Sequence, residues 1–422
     1  MKSIHSLRVM AIIICAVMIS LVAGCANTKK ADINQGKEVT HLYLYGDMSE
    51  MYDKKDVRSI TAVFSQGEKE HTCYATIKVQ GNSSLAYEKK NYTIKFFDDP
   101  THETKSAIDV GWGAENEYCL KANWIDKTHS RNVVTAKLAA EVQEKYGIME
   151  QAPCCGLIDG FPVEVYINDE FHGIYTWNIP KAAWMFGMDE ENPNHIVMCG
   201  ENWEPATTFH DLPDFESWSV EAGPENEETL AKFARLSDFI LNSSDEEFKL
   251  NLEQYLDLDA TLNYHILVEF AYLPDNCGKN MLVVTYDGEV WAPSLYDLDT
   301  SWGAYWDGSE LWDYKNELTC FSTNNLGRRM ELLFAQELHD RYFELREEIL
   351  TKAHVLELFN AFDARISADL KKREAERWGD EIPGYDISQI EDYLNSVIER
   401  LDQKYEGLTH CFLEHSFVFV NE

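Results

Sequence analysis

Positive charge is scarce in this chain. Lysine and arginine number 37 against 73 aspartates and glutamates, a formal charge of −36 over 422 residues. So acidic a protein is a poor partner for nucleic acid, which needs a basic face to displace counterions, and it has no electrostatic hold on anionic lipid headgroups. Beyond the N-terminal segment there is no second apolar run of about 20 residues, so the body of the chain is expected to be soluble. C-x-x-C and H-E-x-x-H are missing, which removes the common zinc sites. Gly278-Lys279 lacks both the earlier glycine and the following hydroxyl residue of a Walker loop. Repeats and low-complexity linkers are absent after residue 40. With 45% hydrophobic residues the chain is nonetheless apolar enough to fold around a large core.

The N-terminus is set apart from the fold. Lys2 and Arg8 form a positive region, Val9 to Val22 is apolar, and Val22-Ala23-Gly24-Cys25 places small residues directly before a cysteine. That pattern resembles a bacterial lipobox. It predicts a signal peptide over 1–24, a lipidated Cys25 holding the protein to the outer face of the cell membrane, and a polar tether over 25–40. Eight further cysteines follow, at 73, 119, 154, 155, 199, 277, 320 and 411. In an exported protein they could pair as disulfides or stay as buried thiols, and spacing does not choose.

Period-two alternation marks strands at His41–Tyr45, Ala75–Val79 and Tyr92–Phe97, and a hairpin over Phe161–Trp177 turning at Asn168-Asp169. A helix is predicted from Thr128 or Ser130 to Gly147. Residues 188–228, acidic and broken by four prolines, read as an irregular excursion or lid. Helices are expected at about 226–242, 245–272, 328–350, 354–377 and 387–407. Two strands flank the turn Asp287-Gly288, and a terminal strand is expected over Cys411–Val420. A β-rich first half and a helical second half predict one α+β unit with two lobes.

The chemistry concentrates in a few places. Tyr296-Asp297-Leu298-Asp299-Thr300-Ser301-Trp302-Gly303 is expected to be extended, which points Asp297 and Asp299 to one side. Two carboxylates so placed repel each other unless a cation lies between them, and a divalent ion with oxygen ligands serves. Asp275 and Asn280 upstream complete an acid, an amide and a metal-binding acid in the order that metal-assisted phosphoryl transfer uses. An EF-hand is excluded, because its sixth and twelfth positions would be Trp302 and Gly308. Asp257-x-Asp259 reads as a helix cap or solvated face. Acids and tryptophans would also equip a glycosidase, but nothing singles out two of them. The turn Gly81-Asn82-Ser83-Ser84, with Lys89, Lys90 and Lys95 nearby, either cradles an anion or is a plain hairpin turn. Lys121 ends an apolar strand and can reach a phosphate. Arg131 in the first turn of a helix opposes the helix dipole, and so wants an anionic ligand or a carboxylate such as Asp126.

In order and spacing, several of these segments together resemble the CotH kinase family of spore coats: Gln80-Gly81-Asn82-Ser83-Ser84, Lys89 to Phe96, Leu120-Lys121-Ala122, Ser130-Arg131-Asn132, Gly173-Ile174-Tyr175, Asp275 to Asn280, and Tyr296 to Gly303. The resemblance covers about residues 40–410. It implies an atypical protein-kinase-like fold, N-lobe-like over about 41–185 and C-lobe-like over about 226–410, with 411–422 a tail. It implies ATP and Mg²⁺ or Mn²⁺ as cofactors and a protein substrate on the cell surface or coat. Carried over, Asp275 is the catalytic acid, Asn280 and Asp297 are metal ligands with Asp299 a second acid of that motif, Lys95 or Lys121 contacts phosphate, and Arg131 is a nucleotide-side cation. The run Gly173 to Pro180 departs from the family by lacking a glutamate, for which Glu164 and Glu201 are the available substitutes. The alternative from another class is a non-catalytic surface module that binds a protein or glycan and keeps the Asp297 motif as a structural metal site.

Overall fold

The computed structural model describes residues 40–66, 69–146, 149, 151–309, 320–379 and 386–415. The expected signal peptide, all but the last residue of the tether, and Cys25 lie outside them.

Alternating sequence in the first half builds a sheet that closes on itself. Strands β1 (Thr40–Tyr45), β2 (Arg58–Gln66), β3 (Lys69–Gln80) and β4 (Asn91–Phe97) follow one another. A small ribbon, β5 (Ile108–Asp109) with β6 (Ala114–Glu115), precedes β7 (Glu117–Lys121), β8 (Gly160–Ile167) and β9 (Glu170–Asn178). The seven long strands form a closed barrel in the order β1-β2-β3-β4-β7-β9-β8. Neighbours are antiparallel except for the closing pair β1–β8, which is parallel. Closure leaves no unpaired edge. Inward residues fill the barrel around Trp177, whose ring lies 4.9 Å from Phe64, 5.5 Å from Phe96 and 5.0 Å from Tyr118. The β8–β9 turn at Asn168-Asp169 has both residues at positive φ, 49° and 69°, as a type I′ hairpin requires. Helix α1 (Arg131–Lys145) lies between β7 and β8.

The stretch 188–228 is not the irregular excursion its prolines predict. It contributes β10 (Ile196–Gly200) and β11 (Trp218–Ala222), which join β12 (Leu282–Thr285) and β13 (Ala292–Ser294) in a four-stranded sheet ordered β11-β10-β12-β13. All five residues of β10 are buried. A strand buried on both faces carries no alternation to read, and Pro193, Pro205, Pro213 and Pro224 all fall between strands.

The rest is helical: α2 (Glu227–Asn242), α3 (Asp245–Asn251), α4 (Leu258–Ala271), α5 (Asn325–Leu333), α6 (Ala335–Glu348), α7 (Lys352–Asp363), α8 (Ala368–Trp378) and α9 (Ile387–His415). Three predicted helices are each broken. The stretch 245–272 divides where Asp257 caps α4, accepting the Ala260 N–H at 2.8 Å. The stretch 328–350 divides at Phe334, and 354–377 divides before Ser367, whose hydroxyl caps α8 through the Leu370 N–H at 3.1 Å. The terminal strand is not formed at its start either, since α9 runs through His415; residues 416–420 lie outside the described part. The chain is therefore α+β, strand-rich first and helical second. Among the described residues no helix is long and apolar enough to cross a membrane, and the seven cysteines at 73, 119, 154, 155, 199, 277 and 320 are unbridged.

Candidate functional site

Three loops and one strand end meet where the barrel faces the helical half. The first loop leaves β3. Gly81 has φ +101°, and a Cβ there would lie 1.8 Å from the Ser84 hydroxyl, so only glycine permits the tight turn through Asn82, Ser83 and Ser84. Lys121, the last residue of β7, projects beside it, with Nζ 3.3 Å from Asp297 Oδ1. Burial alone lowers the pKa of that ammonium, but the carboxylate of Asp297 and the groups around it outweigh burial and hold the pKa above its ordinary value.

The second loop carries Asp275 in a single turn after α4. Its neighbour Asn276 is fully buried and fixes the loop: the side chain donates to the Tyr296 carbonyl at 3.2 Å and accepts the Tyr296 N–H at 3.3 Å. Burial pushes the Asp275 carboxyl up; Lys279, with Nζ 3.9 Å away, pulls it down, Asp297 pushes it up again, and the net direction is up. Asn280 sits at φ 63° with its N–H on the Gly200 carbonyl at 2.8 Å.

The third loop is the Asp297 motif, and it is not extended. β13 ends at Ser294, and Asp297 is left-handed at φ 55°. The two acids therefore reach one cavity through a turn, not by strand alternation. The turn is anchored on both sides. Asn132 of α1 accepts the Leu298 N–H at 3.0 Å. Trp302 donates its backbone N–H to Ala271 and its indole N–H to Thr135, both at 2.8 Å, with its ring edge-on to Phe270, Phe359 and Tyr393. Burial and then Asp297 push the Asp299 carboxyl well above the usual range. Left-handed non-glycine residues at Asn123, Asn280, Asp297 and Trp302 cluster here, as strained backbone does at functional sites.

These pieces enclose a cavity of about 370 Å³ lined by Gly81, Asn82, Ser83, Ser84, Lys121, Asp275, Asn280, Asp297 and Asp299. Five lysines and five acids line it, in a chain where acids outnumber basic residues 73 to 37. The lining is thus balanced in charge where the chain as a whole is strongly acidic, which suits an anionic ligand bound with a cation. Residues 77–406 match the family described as CotH kinase protein. The chain belongs to the CotH kinase family. No curated protein matches the sequence.

Two of the residues picked from this CotH sequence lie elsewhere. Lys95 points away from the barrel core and pairs with Glu117 across the sheet at 2.7 Å. Arg131 is buried against Asp126, Nη1 to Oδ1 at 2.6 Å, while the other Asp126 oxygen accepts the N–H groups of Ser130 and Arg131 at 2.9 and 2.8 Å. Of its two open partners, the carboxylate is the one it has. Glu164 is held by Arg373 and His41 and does not line the cavity; Glu201 does. Lys181 and Glu221 carry no motif and were not legible, although Lys181 directly follows the hairpin run that departs from the family; Asn132 and Asn276 lie inside segments that carry the resemblance, but their anchoring of the loops was not read from them.

The donors present fit a hard divalent ion: three carboxylates and one amide oxygen, with Asp275 and Asp299 raised by burial and mutual repulsion. The Thr300 hydroxyl, buried at the same wall, has no hydrogen-bond partner. The three aspartates are not drawn together as a closed ligand set, however. Among the described residues, the groups of three whose ligand atoms lie within 4.8 Å of one another are Cys199, Glu201 and Glu221, and His265, Glu269 and Glu331.

Proposed function

We propose that this CotH protein is an exported, lipid-anchored kinase that transfers the γ-phosphoryl group of ATP to a serine or threonine of a surface or coat protein. One observation carries the reading. A single cavity collects the Gly81–Ser84 turn, Lys121, Asp275, Asn280, Asp297 and Asp299 from four separate parts of the chain. Family membership supports the reaction class, and the lipobox-like Val22–Cys25 supports the anchor.

ATP supplies the transferable group, and Mg²⁺ or Mn²⁺ supplies the charge that screens it. The chain does the rest. Backbone N–H groups and hydroxyls of the Gly81–Ser84 turn and the Lys121 ammonium would hold the phosphates. Asn280, Asp297 and Asp299 would hold the ion. Asp275 orients the acceptor hydroxyl and takes its proton, a task that a carboxylate with a raised pKa performs better than an ordinary one. Asn276 fixes the two acid-bearing loops against each other, and Asn132 fixes the Asp297 loop against α1.

The test is transfer of labelled phosphate from ATP with Mg²⁺ or Mn²⁺, comparing wild type with Asp275→Ala and Asp297→Ala. Wild type is expected to incorporate label, and each variant to lose roughly 100-fold or more. A folded wild type that neither binds ATP nor incorporates label would overturn the reading and leave a non-catalytic surface module.

A further inference from the structure

Four lysines of the cavity, Lys54, Lys89, Lys181 and Lys279, have no task in that scheme, and Lys181 is set apart by its surroundings. Lys181 follows β9, and its side chain is 19% exposed, with its ammonium inside the cavity. Nζ lies 2.8 Å from Glu221 Oε1 and 4.0 Å from Glu201 Oε1. The Ser219 hydroxyl lies between the same two carboxylate oxygens, 2.6 and 2.7 Å from them, and can donate to one at a time. Across the ring of Tyr296, 5.0 Å from Lys181 Nζ and 5.8 Å from Lys121 Nζ, the two ammonium groups share one wall.

The other cavity lysines are engaged at positions that limit them. Lys89 is buried on Glu374 at 2.6 Å, Lys121 faces Asp297, Lys279 faces Asp275, and Lys54 holds the Asn82 side chain. Lys89 and Lys181 are the two oriented by carboxylates outside both acid-bearing loops, and Lys89 is 1% exposed with its ammonium also donating to the Ala122 and Ile174 carbonyls, which leaves Lys181. A free lysine loses up to about 2 kcal/mol of rotamer entropy when fixed, and two acids that fix it beforehand remove that cost from ligand binding.

We propose that Lys181 is a second phosphate-binding lysine of the cavity and that Glu221 and Glu201 are its positioning residues. The proposal rests on the nucleotide reading above. It predicts a division of labour in which Lys121 and Lys181 meet a triphosphate from the wall that Tyr296 forms, while the acids of the two loops hold the ion.

Titration calorimetry of the purified protein with Mg·ATP and with adenosine tests it. Lys181→Met is expected to weaken Mg·ATP binding by roughly 10- to 100-fold, the range for losing a charge-assisted contact, and to leave adenosine affinity unchanged. Lys181→Arg should keep most of the affinity. Glu221→Gln should lie between wild type and Lys181→Met, and Glu221→Asp should recover part of the loss. Wild type that binds no Mg·ATP overturns the nucleotide reading and this proposal with it. Wild-type binding that a folded Lys181→Met variant retains in full overturns the Lys181 assignment alone, as does equal loss of Mg·ATP and adenosine.

Discussion

Asp275 works against its surroundings, and this gives it a recognisable signature. Burial and the nearby Asp297 raise its pKa, and Lys279 is the charge that holds it down. A carboxylate that must accept a proton is inactive once protonated, so phosphoryl transfer should fall as pH drops through the raised value. Lys279→Met removes the lowering charge. The acid limb of kcat/KM should then move to higher pH than in wild type, with the alkaline side unaffected; an unmoved limb would show that another group sets it. At this scale the sequence was informative about residue type and poor about direction. Lys95 alternates with Ile94 and Phe96, which face the barrel core, so it must face out. Which outward face carries the cavity depends on how the barrel closes, and no local pattern encodes that. Arg131 was correctly read as needing a partner, and a capping aspartate five residues upstream was the nearer one.

Element by element, the join between barrel and helices depends on α8. Glu374 accepts the Lys89 ammonium at 2.6 Å and the Ile174 N–H at 2.7 Å, and Trp378 donates to the His172 carbonyl at 2.8 Å. The helix approaches so closely because Gly173 has no side chain. It sits at φ +139°, and a Cβ would lie 2.7 Å from Glu374 Oε2 and 2.9 Å from Trp378 Nε1. Gly173→Ala should therefore cost about 2 kcal/mol or more, from strain and from the displaced helix together. Lys89→Met should cost about 3–5 kcal/mol by leaving Glu374 buried without its counter-charge, and the double variant with Glu374→Gln should recover a good part of it. Urea midpoints of the four proteins check this, and additive single losses would show that the pair does not couple. The Gly-x-Tyr run was visible in the sequence. Its partner, some two hundred residues later, was not, because a contact between elements leaves no mark in either one alone. The helix breaks at Phe334 and Ser367 were hidden for a related reason: the apolar positions on both sides, Met330 with Leu338 and Phe362 with Leu370, serve one core, so the periodicity runs past the break.

At the level of order the whole molecule reads as expected, strands first and helices second, and the matched region 77–406 lies inside the expected 40–410. Barrel closure and the second sheet came only with the structure, since β10 is buried throughout and β1 meets β8 in parallel across most of the first half. The join also sets a pH dependence for the fold. His129 is 7% exposed beside Lys89 and Glu374, and burial, reinforced by Lys89, lowers its pKa to about 4. His172 under Trp378 is lowered to about 3 for the same reasons. In the unfolded chain both take up a proton near the ordinary 6.5. Between about pH 6.5 and 4 the unfolded state thus binds more protons than the folded one, so their contribution is fully present above 6.5 and is lost as pH falls toward the folded values. For His129 the loss between pH 7 and pH 5 should be on the order of 2 kcal/mol. Glu331, lowered to about 2, enters only below its ordinary 4.5 and leaves this window clear. Replacing His129 by glutamine removes the titration, so the fall in unfolding free energy from pH 7 to pH 5 should be smaller in His129→Gln than in wild type. An identical fall in the two proteins would mean that His129 does not carry the acid sensitivity.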